Sequence, residues 1–158
     1  MMMLRGSFDF LSNFHPAKVE MDGICYQNAE AAFQAQKCVD VADKASFAEL
    51  TAVKAKRRGR QMKLRPDWDA VRIGIMEEVV RAKFTQNPDL ASRLVATGTM
   101  PIEEGNSFGD TFWGVDVRTG EGENHLGKIL MKVRKELVAN MNLTDSCIQV
   151  NHEADESR

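Results

Sequence analysis

Asn28-Ala-Glu-Ala-Ala-Phe-Gln-Ala-Gln-Lys37 reads as a helix whose circumference is mostly Ala29, Ala31, Ala32, Phe33 and Ala35. A surface helix turns one apolar stripe inward and leaves the rest polar. This stretch is therefore predicted to be a central helix surrounded by other elements. Glu30, Gln34 and Lys37 recur at i, i+4 and i+7 and so share one face. A buried carboxylate, amide and ammonium must pair, because leaving each unpaired costs a few kcal/mol. They form either a structural network between packed helices or a set of groups facing a ligand.

Outward from this helix the elements are mostly helical. On the N-terminal side, Ala17-Lys-Val-Glu20 and Ile24-Cys-Tyr26 flank Met21-Asp22-Gly23, a hairpin signal. The central helix is expected over about 28–40, with Asn28 as N-cap. A second helix is expected over 43–50 and a third from Thr51 to Gly59. Arg65-Pro66 is predicted to open the longest helix, with Trp68, Val71, Ile75 and Val79 in one apolar row and Met76, Val80 and Phe84 beside it. Asn87-Pro88 ends that helix and starts the next, which Gly98 terminates. Short strands are expected over 100–104 and 112–117. A last helix starts near Glu123, with Leu126, Leu130, Val133 and Leu137 on one face. The reading is an α+β fold: one compact, mostly helical domain over 1–140 with a few short strands. A polar acidic tail over 141–158 is expected to be disordered at its end.

Composition narrows the function classes. The chain has 158 residues, 43% hydrophobic and 28% charged, as expected for one globular domain with a proper core. It contains no apolar run near the roughly 20 residues of a membrane span, and its start lacks the apolar segment of a secretory signal. A cytoplasmic location is the expectation. Cys25, Cys38 and Cys147 are widely spaced and His15, His125 and His152 are scattered, so neither a disulfide framework nor a metal site is expected. No GxGxxG or Walker pattern occurs, and strands do not alternate with helices, which counts against Rossmann and P-loop folds. The net charge of −2 argues against a general nucleic-acid binder. Even so, Lys54, Lys56, Arg57, Arg58, Arg60, Lys63 and Arg65 form a basic run that could hold phosphate. Its plainer reading is a solvated helix end.

Other polar positions stand out. Phe10-Leu-Ser12-Asn13-Phe14 sets a hydroxyl and an amide between apolar anchors in a loop, suited to a local turn or to a sugar or base edge. Trp68, at a helix start, is either core or a stacking face for a planar ring. Arg81 and Lys83 follow the apolar rows of the same helix, as surface ion pairs or phosphate ligands. Glu103-Glu104-Gly-Asn106 and Asp110-Thr-Phe-Trp113-Gly gather acids, an amide and aromatics within a dozen residues, in a loop of the kind that carries binding residues. The alternative there is an Asx-turn at Asp110 with Phe112 and Trp113 in the core. Asn124, at the last helix start, reads as a cap and ligand contact, and His125 as structural.

Taken in order and spacing, Phe10-Leu-Ser-Asn-Phe14, Asn28-Ala-Glu-x-x-x-Gln-Ala-Gln-Lys37, Ala55-Lys-x-x-Gly-Arg60, Arg65-x-Asp-Trp68, Arg81-Ala-Lys-Phe84, Glu104-Gly-Asn106, Asp110-x-Phe-Trp-Gly114 and Gly122-Glu-Asn-His-Leu-Gly127 resemble the YbiA-like, or NADAR, family. The resemblance runs from about Phe8 to Leu137. It implies a compact α+β fold particular to that family and an N-glycosidase activity. The substrate would be a ribosylamino-pyrimidine phosphate of early riboflavin synthesis or ADP-ribose attached to guanine, free or in nucleic acid. It further implies that Glu30, Trp68 and Asp110 line the active site. The acidic tail after Asn140 departs from the family pattern, and the Ser107-Phe108-Gly109 stretch is variable.

On that basis Glu30 is expected as base or cation stabiliser, with Asp110 as the second carboxylate, either holding ribose hydroxyls or protonating the leaving nitrogen. Trp68 would stack on the leaving base, with Trp113 and Phe14 as further aromatic contacts. Lys37 and Arg60 would pair with phosphate, with Arg81 and Lys83 as further candidates. Ser12, Asn13, Gln34, Asn106 and Asn124 would read polar edges of the substrate. No cofactor, metal, membrane or obligate protein partner is expected. Two rivals stand beside this reading: a module that binds ADP-ribose or a related nucleotide without cleaving it, and a nucleic-acid binder using the basic run.

Overall fold

The computed structural model describes residues 2–3 and 6–155, with side chains described for 6–145. A two-residue strand β1 (Met2–Met3) and a 3-10 turn (Gly6–Leu11) lead into the hairpin β2 (Pro16–Met21) and β3 (Ile24–Asn28). Asp22 and Gly23 at the hairpin turn have φ of 52° and 81°. A two-residue type I′ connection needs both φ values positive, and Asp-Gly supplies them at little strain.

The central helix, α1 (Ala29–Ala35), is capped by Asn28, whose Oδ1 accepts from the Ala31 amide at 2.7 Å. All seven of its residues are buried. It is shorter than the expected 28–40, because the chain tightens into turns in which the Lys37 and Cys38 amides donate three residues back, to Gln34 and Ala35. Asp40 then caps the short α2 (Val41–Ala45), and Thr51 caps α3 (Ala52–Gly59). Ala52, Ala55 and Gly59 are the buried face of α3, which packs against α1. Small residues let the two backbones approach. A Cβ at Gly59 would run into the Gln34 side chain.

The next helix, α4 (Trp68–Gln86), starts later than Arg65-Pro66 suggested. Arg65 instead closes a turn, its guanidinium donating twice to the Asp67 carboxylate at 2.6 and 3.0 Å. The buried face of α4 is Trp68, Ile75, Met76, Val79, Val80, Lys83 and Phe84, which meets α1, β2 and the last helix. Burying a Val- or Phe-sized side chain contributes roughly 1.5–3 kcal/mol, so this face supplies much of the core. α5 (Pro88–Ala96) has proline at its start. Three short strands follow: β4 (Ile102–Glu103), parallel to β1, and β5 (Gly105–Asn106), parallel to β6 (Val115–Asp116).

The final helix, α6 (His125–Asp155), is the longest and passes Asn140, where the apolar pattern stops. Its buried positions end at Leu137, and residues 139–145 are exposed. The expected disorder at the end of the tail falls on residues 156–158, outside the described residues. Among the described residues, no helix is long and apolar enough to cross a membrane.

Candidate active site

The buried face of α1 supplies the floor of a cavity of about 230 Å³. Glu30, Phe33, Gln34 and Lys37 come from α1 and its end, Lys56 from α3, Trp68 and Arg72 from α4, and Asp110 and Trp113 from the loop between β5 and β6. Elements far apart in sequence thus converge on one polar hollow. A groove of about 360 Å³ bounded by Met131, Arg134 and Val138 has no carboxylate on its lining, and a hollow that joins Asp40 and Asp43 has no aromatic ring on its lining.

Glu30 is only 8% exposed. Burial pushes its carboxyl above the ordinary range, and the negative charge of Asp110 pushes the same way; the Gln34 hydrogen bond and the charges of Lys56 and Lys37 oppose this. Gln34 Nε2 donates to Glu30 Oε1 at 2.8 Å. Lys37 carries its ammonium 5.8 Å from the Trp68 ring centre, and burial lowers its proton affinity while Glu30 raises it. Asp110 Oδ1 accepts from the Phe112 and Trp113 amides at 3.1 and 2.9 Å. The Asx-turn is therefore present, and it is compatible with a place on the cavity wall.

Aromatic rings form one side of the site. Phe33 meets Trp68 at 5.2 Å and Trp113 at 5.5 Å, the latter edge-on. The Arg72 guanidinium lies 3.7 Å over Phe112. Trp68 is 7% exposed, so it is both core residue and cavity wall.

Several expected ligands are occupied elsewhere. Arg81 pairs with Glu136 on α6 at 2.9 and 3.0 Å and with Glu77 at 3.7 Å, because its position on α4 faces α6 and not the cavity. Lys83 is fully buried and donates to the carbonyls of Phe10 at 2.6 Å and Ser12 at 2.9 Å. Its burial drives its pKa down to about 7. It fastens the Phe10–Phe14 loop to α4 and is not on the cavity wall. Arg60, at the C-cap of α3, is exposed. Asn106 donates to the Asp110 carbonyl and accepts from the Asp110 amide, shaping the loop. Asn124, with φ 51°, bridges the Ile102 carbonyl and the Glu104 amide. These two asparagines hold the loop that presents Asp110.

Within the Phe10–Phe14 loop, Ser12 Oγ accepts from the Phe14 amide, and the Asn13 carbonyl accepts from the Glu30 amide at 3.0 Å. Asn13 Nδ2 lies 3.2 Å from Met76 Sδ. The loop therefore abuts the start of α1 through its backbone. Phe14 stands outside it, 41% exposed.

Lys56, Arg72 and Phe33 line the cavity, and Glu104 lies near enough to feel the charges of Asp110, Glu30 and Lys56. The sequence marks Lys56 only as one of a basic run that could hold phosphate and Glu104 only as part of an acid-rich loop, and it marks neither Arg72 nor Phe33 as a site residue. Arg72 lies four residues after Trp68, a helical spacing that signals a shared face. Lys56 was hidden in the basic run, which the structure divides: Arg58 packs on Phe47, Arg65 pairs with Asp67, and only Lys56 reaches the wall. The Glu104 carboxyl is pushed up to about 7, first by burial and then by the charges of Asp110 and Glu30, with Lys56 opposing. Gln34 Oε1, Glu104 Oε2 and Asn13 Oδ1 are buried acceptors with no hydrogen-bond partner among the described residues. Among those residues, no group of three or more His, Cys, Asp or Glu side chains could hold a metal ion.

The structure thus gathers two carboxylates, two lysines, an arginine and two tryptophans around one cavity of a helix-rich α+β domain. The NADAR domain family model matches residues 4–138, and the chain belongs to this family. A riboflavin biosynthesis protein of Vibrio vulnificus (strain YJ016) is 43% identical over 132 residues, covering 81% of this chain and 35% of that protein. This chain thus spans about a third of that relative. An N-glycosidase of Nostoc punctiforme (strain ATCC 29133 / PCC 73102) is 38% identical over 139 residues, covering 84% of this chain and 88% of that protein. The NMR structure of the Escherichia coli protein YbiA matches the fold with a TM-score of 0.78 at 30% identity, covering 89% of this chain and 86% of that one.

Proposed function

We propose that this chain is an N-glycosidase: it hydrolyses the bond between C1′ of a phosphorylated ribose and the nitrogen of a planar base. The observation that carries this reading is the Glu30 carboxyl, buried in a cavity that also holds Asp110, Lys37, Lys56 and Trp68. N-glycosidases among its relatives support the same chemistry.

In the reaction the C1′–N bond breaks with its electron pair passing to nitrogen, while water oxygen joins C1′. One water proton leaves for a base, and the departing nitrogen takes up a proton. Positive charge develops on the sugar, as in O-glycoside hydrolysis. Glu30 is the group suited to stabilise that charge and to receive the water proton. Its burial strengthens both effects, since charges interact more strongly away from water. Asp110, fixed by two backbone amides, is suited to accept ribose hydroxyls. Lys37 and Lys56 offer cations to a phosphate, and Trp68 and Phe33 offer faces to a ring.

The substrate is either a ribosylamino-pyrimidine phosphate or ADP-ribose on guanine. Purified protein incubated separately with each, and followed by mass spectrometry, tests the reading. Release of free base with ribose phosphate, or of ADP-ribose, supports it and names the substrate. Tight binding of intact ligand with no cleavage overturns it in favour of a binding module.

A further inference from the structure

Among the described residues, Phe14 and Phe108 are the only aromatic side chains classed as exposed, at 41% and 70%. They come from separate loops, yet both rings face the same atom. Lys56 Nζ is 5.7 Å from the Phe14 ring centre and 5.3 Å from that of Phe108. Lys56 is itself on the cavity wall. Both rings thus flank a lysine of the cavity wall, although neither lines the cavity itself and Phe14 also borders a separate hollow with Pro16 and Thr51. Exposing two phenylalanines to water is unfavourable, and a cation beside an exposed ring returns only about 0.5–1 kcal/mol.

Size points the same way. The cavity holds about 230 Å³, below the roughly 300–1,000 Å³ of usual ligand pockets. The space is small for a ribosyl phosphate with its base, which favours resting part of the substrate at the mouth of the cavity. Rim groups that suit a ring are aromatic faces flanked by a cation, because stacking serves any planar base without reading its edges.

We infer that Phe108, with Phe14 and Lys56, forms a stacking rim for the part of the planar base that extends beyond Trp68 and the cavity. This rests on the N-glycosidase reading for the identity of the ring. Phe108 lies in the Ser107-Phe-Gly109 stretch of the loop that presents Asp110.

The test compares wild type with Phe108→Ala, Phe14→Ala and Phe108→Tyr. Ribose 5-phosphate serves as a ringless probe and a ribosyl phosphate bearing a pyrimidine or purine as the ring-bearing one. Stacking worth about 1–3 kcal/mol per base predicts that either alanine variant lowers kcat/KM for the ring-bearing substrate about tenfold. Inhibition by ribose 5-phosphate should stay within twofold, and this also reports an intact fold. Phe108→Tyr should restore wild-type behaviour. Equal loss on both probes, or no loss on either, overturns the rim. If wild type cleaves nothing, the N-glycosidase reading fails by itself, and the rim is judged by affinity for the uncleaved ring-bearing ligand relative to ribose 5-phosphate, with the same outcomes deciding.

Discussion

Gln34 Nε2 donates to Glu30 Oε1 at 2.8 Å, one turn away on the same buried helix. The bond favours the ionised carboxylate, against a burial that disfavours it. Gly59 makes room for the amide, since a Cβ there would collide with it. The pair is thus a three-residue arrangement in which α3 holds Gln34 against Glu30.

Gln34→Leu removes the donor while keeping similar volume. The Glu30 carboxyl then rises further above its ordinary range. If Glu30 acts ionised, the acid limb of the kcat/KM profile moves to higher pH, with activity above the limb reduced less than activity below it. A pH–rate profile of wild type and variant checks this. An unmoved limb would mean that another group controls it.

Lys83→Met tests the loop fastening. Losing the ammonium leaves the Phe10 and Ser12 carbonyls without their donor, at about 1–3 kcal/mol each. The sign with pH is defined. Lys83 has a folded pKa of about 7, below its ordinary 10.5, so between those values the unfolded chain binds more protons. Its contribution to stability therefore grows as pH rises from about 7 toward 10.5. Urea melts across that range should show this rise in wild type and its loss in the variant.

Glu104→Gln should act with the opposite sign. The Glu104 carboxyl is pushed from 4.5 to about 7, so between those values the folded chain holds the extra proton. Wild-type stability from this group falls as pH climbs through that window. Glu104→Gln removes the cost of ionising it and should stabilise the protein at pH 8, on the order of 1–3 kcal/mol after allowance for solvent screening. At pH 5 the difference should nearly vanish. Thermal melts at the two pH values decide it, and a variant less stable at pH 8 would contradict the assignment.

Much of this architecture is legible in the residues. Asp22-Gly23 announces the hairpin, Asn28 and Thr51 announce their helices, and the alanines of α1 announce a surrounded helix. Glu30, Gln34 and Lys37 do share one cavity wall. What the pattern could not specify is which partner each long cation meets. Arg81 and Lys83 are two residues apart on α4, yet one reaches Glu136 and the other penetrates to the Phe10 carbonyl. Periodicity places a side chain on a face, whereas packing of α6 and the N-terminal loop decides what that face touches. For the same reason the basic run does not tell Lys56 from its neighbours, and Arg72 does not stand out from the other cations of α4. The extent of α6 beyond Asn140 was missed because its exposed residues carry no apolar period.

The measurement that bears most directly on the central claim is single-turnover cleavage by Glu30→Gln. The amide keeps the shape and the approach to Gln34 but carries no charge and takes no proton. A base or charge-stabilising role predicts a fall in the chemical rate of about 10²–10⁴-fold, with substrate affinity within a few-fold of wild type. A chemical rate close to wild type, in a folded variant, would show that Glu30 is a structural member of the α1–α3 packing and that the hydrolytic mechanism built on it is wrong.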